Sequence, residues 1–395
     1  MAPEPALRIV YFGADASWRA LQRIGFRRRN TCLLREFARH PLVGKLAVVI
    51  PTTRGHAYLQ SSWWQLLLGF KRHEKVQDVF VFAFLPGQRW APAIRRFNLY
   101  LARWLIRRAL AECDQSKVIQ WCYWPAGYVL ARQIGLKGRI VFDADNNILT
   151  CPTLAPERPQ LERLLKNCVQ NADAVVCGSK KFLLRSPALG LKRPTFLRNG
   201  VDAQRFRCEA AEPEDLQGIP RPRLGYLGTL SQWIDFEILL LLARENPKWN
   251  IVCVGDPYLA EVPEALKKLA NVHFLGARAA FLVPAYLKNV DVGLVPYRQE
   301  AGGSSDGDSM KIFEYLAAGL PVVAADFNGR LAEDFEGLVE IAAHAVGFAR
   351  AIERVLNQSK EGRREWDTRR QEFLRRNTWR CRADEAVALM KGLLS

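Results

Sequence analysis

Short apolar runs alternate with amphipathic stretches along both halves of the chain. In the first half the runs are LRIVYFG (7–13), KLAVVI (45–50), VFVFAFL (79–85), KVIQWCY (117–123), RIVFDAD (139–145) and AVVCGS (174–179). In the second half they are PRLGYLGTL (222–230), NIVCVGD (250–256), VHFLG (272–276), VDVGLVPY (290–297) and PVVAAD (321–326). Runs this short, rich in Val, Ile and Phe, predict strands buried on both faces of a parallel sheet. The stretches between them are helical in pattern, so each half predicts a Rossmann-like α/β domain with crossover helices. FLRNGVDAQRF (196–206) carries an Asn-Gly turn and predicts the link between the two. The expected organisation is a first domain over 1–198, a second over 199–375 and a C-terminal helix over 376–395. That helix belongs to FLRRNTWRCRADEAVALMKGLLS, which has the pattern of one amphipathic helical stretch.

The chain has 395 residues, long enough for two cores, and its 49% hydrophobic and 25% charged content is ordinary for globular proteins. Nine cysteines are scattered singly without a Cys-x-x-Cys pair, and the five histidines form no cluster. That usage predicts free thiols in a reducing compartment, with no protein-bound metal and no cofactor. The N-terminus runs almost directly into a strand, so no signal peptide is expected. Apolar runs such as Ile238–Ala243 fall short of the roughly 20 residues a spanning helix needs. A cytoplasmic protein is expected.

Charge changes this picture. Residues 1–198 hold 32 Lys and Arg against 12 Asp and Glu, a net of +20, while the remaining 25 and 28 give −3. The cationic half contains PAIRRFNLYLARWLIRRALAE (92–112), which is helical by period. Ile94, Phe97, Leu101, Trp104 and Leu105 share one face there, flanked by Arg95, Arg96, Arg103 and Arg107. SSWWQLLLGFKRH (61–73) and RIGFRRRN (23–30) repeat the mixture of bases and aromatics. One reading of helix 92–112 is a core face with solvated arginines. The other is an anionic membrane surface, where each base near the headgroups contributes about 1 kcal/mol. The charge of the whole domain favours peripheral attachment to the inner face of the cell membrane. Nucleic acid is not an expected partner, because no binding motif accompanies the charge and the aromatics lie among aliphatics.

The most informative segment is Gly302–Asp326, GGSSDGDSMKIFEYLAAGLPVVAAD. It predicts a glycine-rich loop, a helix capped by Asp308 or Ser309 and ended at Gly319, then a buried strand. Lys311 and Glu314 lie three apart on one helix face. A helix N-terminus with a Lys suits a diphosphate, and a nearby carboxylate suits a ribose diol. The same pair equally describes a surface salt bridge. The run KIFEYLAAGLPVV (311–323) resembles the donor-site signature of GT-B glycosyltransferases, particularly the group 1, family-4-like enzymes that build bacterial surface polysaccharides. In them the Glu equivalent to Glu314 grips the nucleotide ribose. The Asn-Gly-Val-Asp of 199–202 is similar to the interdomain turn of retaining GT-B enzymes.

The resemblance implies a GT-B fold: two Rossmann-like domains facing each other across a cleft, with the C-terminal helix crossing back to the first domain and Trp379 packing at the crossing. It also implies a nucleotide-sugar donor held without metal. Candidate donor residues are Gly225 and Gly228 in a strand-to-helix turn, Gly276 in the stretch that meets the base, Tyr297, Arg298, Asp306, Ser309, Lys311 and Glu314. Asp306 stands eight positions before Glu314, where relatives place a sugar-contacting Glu. Residues 229–240 contain no base, unlike better-known retaining relatives, which leaves Lys311 to carry the phosphate charge with Arg298. Asp143 and Asp145 end a first-domain strand. They stand as catalytic candidates, a general base for an acceptor hydroxyl, or as residues that cap a helix or orient a loop. A metal-binding Asp-x-Asp is the third reading, and it conflicts with a donor site at 304–319. Gly13 and Asp15 follow the first strand on the acceptor side.

The expected reaction is transfer of a sugar from a nucleotide-sugar to a lipid-linked or polysaccharide acceptor at the cytoplasmic membrane face, with Lys311 also stabilising the leaving diphosphate. UDP-sugars are the commoner donors in the family, which favours UDP over GDP. Asn-Gly-Val-Asp and Glu314 point towards retention, an aspartate base towards inversion. The rival readings are a nucleotide-sugar epimerase on the same fold and a non-catalytic membrane- or nucleic-acid-binding protein.

Overall fold

Two parallel sheets organise the chain in the computed structural model, which describes residues 7–14, 18–52, 72–73, 75–82, 92–110, 114, 117–144, 158–178, 183, 190, 194–207, 210–258, 260–298 and 309–395. The strands of the first are β1 (Leu7–Phe12), β2 (Val43–Thr52), β3 (Arg72–His73), β4 (Val76–Phe82), β5 (Val118–Tyr123), β6 (Arg139–Asp143), β7 (Ala174–Cys177) and β8 (Thr195–Phe196). Their order is β3-β4-β2-β1-β5-β6-β7-β8, parallel throughout except for β3 against β4. Ile9, Val10, Tyr11 and Phe12 of β1 are all buried, as are Ile119 and Trp121 of β5. Helices cover both faces, so these strands are apolar without alternation. The chain runs from β1 outward to β2 and β4, then returns to β5 on the opposite side of β1. The topological switch point therefore lies between β1 and β5.

The second sheet is built from β9 (Arg223–Leu227), β11 (Asn250–Val254), β13 (Val272–Phe274), β14 (Val292–Val295), β15 (Val322–Ala324) and β16 (Val339–Ile341), in the order β13-β11-β9-β14-β15-β16. A two-strand ribbon of β10 (Leu230–Ser231) and β12 (Pro257–Tyr258) stands beside it. Its switch point lies between β9 and β14. Doubly wound sheets bind ligands outside the carboxyl ends of their strands at this point.

The chain divides into two compact units. One is Met1–Asp145, Thr153–Arg198 and Arg382–Ser395; the other is Asn199–Cys381 with Asn146–Pro152. The single C-terminal helix expected from the sequence is two, Lys360–Arg376 and Trp379–Leu394. The interruption has a local cause. The Val201 N–H donates to the Asn377 carbonyl at 3.0 Å, and Val201 bridges to Thr378. The Asn377 amide turns back to the Phe373 carbonyl at 2.8 Å. A Cβ on Gly200 would stand 2.7 Å from the backbone at Thr378 and Trp379, so the Asn-Gly turn meets the helix break backbone to backbone. Trp379 is buried, and Ala383, Ala386, Val387 and Met390 form the buried stripe of the last helix. His40 Nε2 lies 3.0 Å from Asp384 in the first unit. Its Nδ1 accepts from the Leu42 N–H, so Nε2 carries the proton and donates.

Candidate functional site

In the second unit the sequence candidates converge on the β9/β14 switch point. Gly228 directly follows β9 with φ +133°, and its N–H donates to the Val254 carbonyl at 2.8 Å. A Cβ there would stand 2.4 Å from Cε and 2.8 Å from Nζ of Lys311. The lysine thus lies flat over the glycine backbone. Its ammonium is 5.5 Å from the Tyr226 ring centroid and 5.8 Å from that of Tyr297, within cation–π range of both. Tyr297 is buried two residues beyond β14. Arg298 follows it, donating its backbone N–H to the Trp233 carbonyl and its Nε to the Ile234 carbonyl at 3.2 Å.

The helix Met310–Ala317 delivers Lys311 and Glu314 to this place. Ser309 is its N-cap and is buried, but its side chain makes no cap hydrogen bond. The inward face, Ile312, Phe313, Tyr315 and Leu316, locks the helix to the sheet. The Tyr315 hydroxyl accepts from the Leu227 N–H at 2.7 Å, and the ring fills the space over Gly293. Glu314 is half-buried. Burial raises its carboxyl above the ordinary 4.5, while the charges of Arg205 and Lys311 pull it down.

Arg205 comes from the 3-10 turn Ala203–Phe206 and also donates to the Ala280 carbonyl. Its target belongs to the loop after β13, which contains Gly276 at φ +71°. That loop is held at further points. Asp256 accepts from the Ala277 N–H at 2.9 Å. Asp215 accepts from Arg278 at 2.7 Å and from the Tyr286 hydroxyl at 2.8 Å. Gly255, after β11 with φ +151°, approaches Gly228 so closely that a Cβ would stand 2.1 Å from the Gly228 carbonyl oxygen. Arg205, Asp215, Asp256 and Tyr286 carry no local sequence signature. Gly255 does, as the glycine that directly follows the strand in NIVCVGD.

Gly225 requires a correction. It lies inside β9, where a Cβ would meet the Val290 methyls at 3.0 Å. Its smallness serves strand packing and does not open a phosphate turn. Asp306 lies outside the described residues.

In the first unit, Gly13 directly follows β1 at the β1/β5 switch point. Its φ is +144°, a Cβ would collide with Tyr123 at 2.4 Å, and its carbonyl accepts from Asn30 at 2.8 Å. Trp124, after β5, holds a φ of +63° that side chains rarely adopt. Asp143 has no exposed surface and is ion-paired with the buried Arg29, Nε to Oδ1 3.3 Å, which also donates to the Arg198 carbonyl at 3.1 Å. Asp143 thus meets its arginine in the interior, and Arg29 is buried away from the surface basic cluster. Asp15 and Asp145 lie outside the described residues. Among the described residues no group of three or more His, Cys, Asp or Glu is placed to hold a metal ion. Burial pushes the Cys168 and Cys253 thiols up to about 12, far from thiolate chemistry.

Residues 221–358 match the family model described as glycosyl transferases group 1. Over 222 residues the chain is 28% identical to TuaH of Bacillus subtilis (strain 168), whose name as a teichuronic acid biosynthesis glycosyltransferase is itself provisional. That match covers 54% of this chain and 55% of TuaH, about half of each. Sucrose-phosphate synthase from Thermosynechococcus elongatus superimposes with a TM-score of 0.69 at 14% identity, covering 98% of this chain and 99% of that one. An E. coli structure described as trehalose-6-phosphate bound with UDP-2-fluoro glucose gives 0.67 at 13% identity, covering 97% and 99%. At such identities the likeness shows the fold, two parallel-sheet α/β units of GT-B type. Residues 221–358 thus resemble the group 1 glycosyl transferases, and the chain as a whole has a fold of GT-B type.

Proposed function

We propose that the chain transfers a sugar from a nucleoside diphosphate sugar, UDP-linked in preference to GDP-linked, to a lipid-linked saccharide at an anionic membrane surface. The observation that carries the donor half is Lys311 lying over Gly228 at the β9/β14 switch point. An ammonium beside a backbone turn free of Cβ atoms suits a diphosphate, whose oxygens approach the N–H groups closely. As the glycosidic bond breaks, charge grows on the leaving phosphate, and a lysine already in position stabilises it without reorganisation. Glu314 accepts the ribose hydroxyls, and the braced loop after Gly276 meets the base. Ser309, Tyr297 and Arg298 complete the surroundings of the diphosphate and sugar.

The acceptor half rests on charge and on similarity. The first 198 residues carry +20, and TuaH is named for teichuronic acid biosynthesis. No helix among the described residues is long and apolar enough to cross a membrane, so the proposed attachment is peripheral. Asp143, held by Arg29, and Asp145 stand as the candidate bases, and Gly13 and Asp15 border the acceptor.

A thermal-shift titration with UDP, GDP, ADP and CMP tests the donor assignment, because a ligand bound only by the native state raises its melting temperature. One diphosphate is expected to stabilise the protein and Lys311→Ala to lose the effect. No shift with any of the four would refute the site. Turnover of a UDP-sugar without acceptor would indicate an epimerase instead.

A further inference from the structure

The helix Pro92–Ala109 has two apolar faces where its sequence suggests one. Ala102, Leu105 and Ile106 are buried, and the helix packs on β2, β4 and the helix Trp124–Ile134. Phe97, Tyr100 and Trp104 are 65%, 67% and 44% exposed. At 3.6 residues per turn these three fall within a stripe about 60° wide, on the side opposite the buried residues. Arg96, Arg107 and Arg108 border the stripe and are exposed, and the Arg108 guanidinium lies 5.4 Å from the Trp104 ring centroid. The helix contains five arginines and no acidic residue.

The core does not use these rings, since the helix already buries its other face. A contiguous row of exposed aromatics marks an interaction surface. Its dimensions argue against a protein partner: Phe97 to Trp104 spans about 10 Å along the axis, and three rings of at most about 250 Å² each stay below the ~800 Å² per side of a stable protein interface. Its chemistry suits a bilayer. Trp and Tyr favour the headgroup level, where the ring is apolar and the polar tip stays wet, and guanidinium groups pair with lipid phosphates.

We propose that Arg96, Phe97, Tyr100, Trp104, Arg107 and Arg108 form an interfacial docking face for an anionic bilayer, the helix lying in the membrane plane with its three rings at headgroup depth. The inference deepens the proposed peripheral attachment and rests on that reading for its purpose. It does not depend on the donor site.

The test is co-sedimentation of the full chain with vesicles of phosphatidylglycerol and phosphatidylcholine, and with phosphatidylcholine alone. Wild-type protein is expected to bind only the anionic vesicles. Phe97→Ser/Tyr100→Ser/Trp104→Ser should lower that binding by about tenfold or more, and Arg96→Gln/Arg107→Gln/Arg108→Gln should lower it and weaken its dependence on salt. Both variants, and the milder Phe97→Ser alone, should keep the wild-type melting temperature and nucleotide response, which shows that they fold. Unchanged vesicle binding in the aromatic variant would overturn the proposal, as would equal binding to neutral vesicles. So would absence of vesicle binding together with capture of an acidic protein by the same face. Wild-type vesicle binding that responds as expected, with no nucleotide response, would sink the donor reading and leave this one standing.

Discussion

Lys311 and Glu314 show what residue types can and cannot disclose. The sequence places them on one helix face; the fold adds Gly228 beneath the lysine and Arg205 beside the carboxylate. Lys311→Ala is expected to abolish transfer and cost UDP affinity about tenfold or more, with the far-ultraviolet dichroism unchanged, since removing a charge-assisted contact to phosphate costs about 1.5–3 kcal/mol. Glu314 yields a pH prediction. Its folded carboxyl titrates above 4.5, so it holds its proton more tightly than in the unfolded chain. Ionising it therefore costs stability as the pH rises from the unfolded value through the folded one. Glu314→Gln is expected to raise the melting temperature at neutral pH, with the gain vanishing on acidification. UDP binding, which in the proposed site uses the carboxylate, should weaken on acidification already above pH 4.5. Arg205→Ala, which removes a lowering charge, should move that midpoint to higher pH in calorimetric titrations. An unmoved midpoint would separate Arg205 from Glu314. Arg205 itself was illegible beforehand, because its position depends on a turn more than a hundred residues from Glu314.

At the scale of elements, the strand ends hold two glycines with different neighbours. A Cβ on Gly255 would run into the backbone of Gly228, which cannot yield, whereas one on Gly228 would meet the flexible end of Lys311. Gly255→Ala is expected to destabilise the fold by about 3 kcal/mol or more, combining a disfavoured φ with a backbone collision. Gly228→Ala carries the same φ penalty and should also displace Lys311, so its UDP affinity falls more than its stability. Denaturant unfolding and UDP titration of both variants separate the two effects. All eleven strands expected from apolar runs are present, because a strand buried on both faces must be apolar throughout. The strands missed, β3, β8, β10, β12 and β16, are two or three residues long and form by pairing at sheet edges or beside the sheet. Gly225 was misread because glycine in a strand looks the same whether a methyl group or a phosphate occupies the space above it. Helix 92–112 was misread in another way: period alone cannot say which of two apolar stripes meets the core.

At the scale of the whole molecule, the last helix ties chain ends together. Arg382–Ser395 joins the first unit although it follows the second in sequence. Ending the chain after Cys381 removes the buried Ala383, Ala386, Val387 and Met390 and the His40–Asp384 contact. The loss is on the order of 5 kcal/mol by apolar burial. Melting of the first unit should drop, while stabilisation by UDP, whose proposed site lies in the second, should persist. Loss of both together would show that the units do not fold separately.

The apolar runs and their spacing were enough to determine two doubly wound domains, and the run 311–323 was enough to point to the glycosyl transferase model that residues 221–358 match, because buried parallel strands and a close-packed site helix tolerate few residue types. Contacts between distant segments were decided only in three dimensions. Asp143 became the partner of Arg29, the Asn-Gly turn came to rest on the break at Asn377 and Thr378, and three aromatic rings were left facing solvent. Local pattern records whether a side chain is apolar or charged; which neighbour it meets depends on chain crossings that no short window of sequence contains.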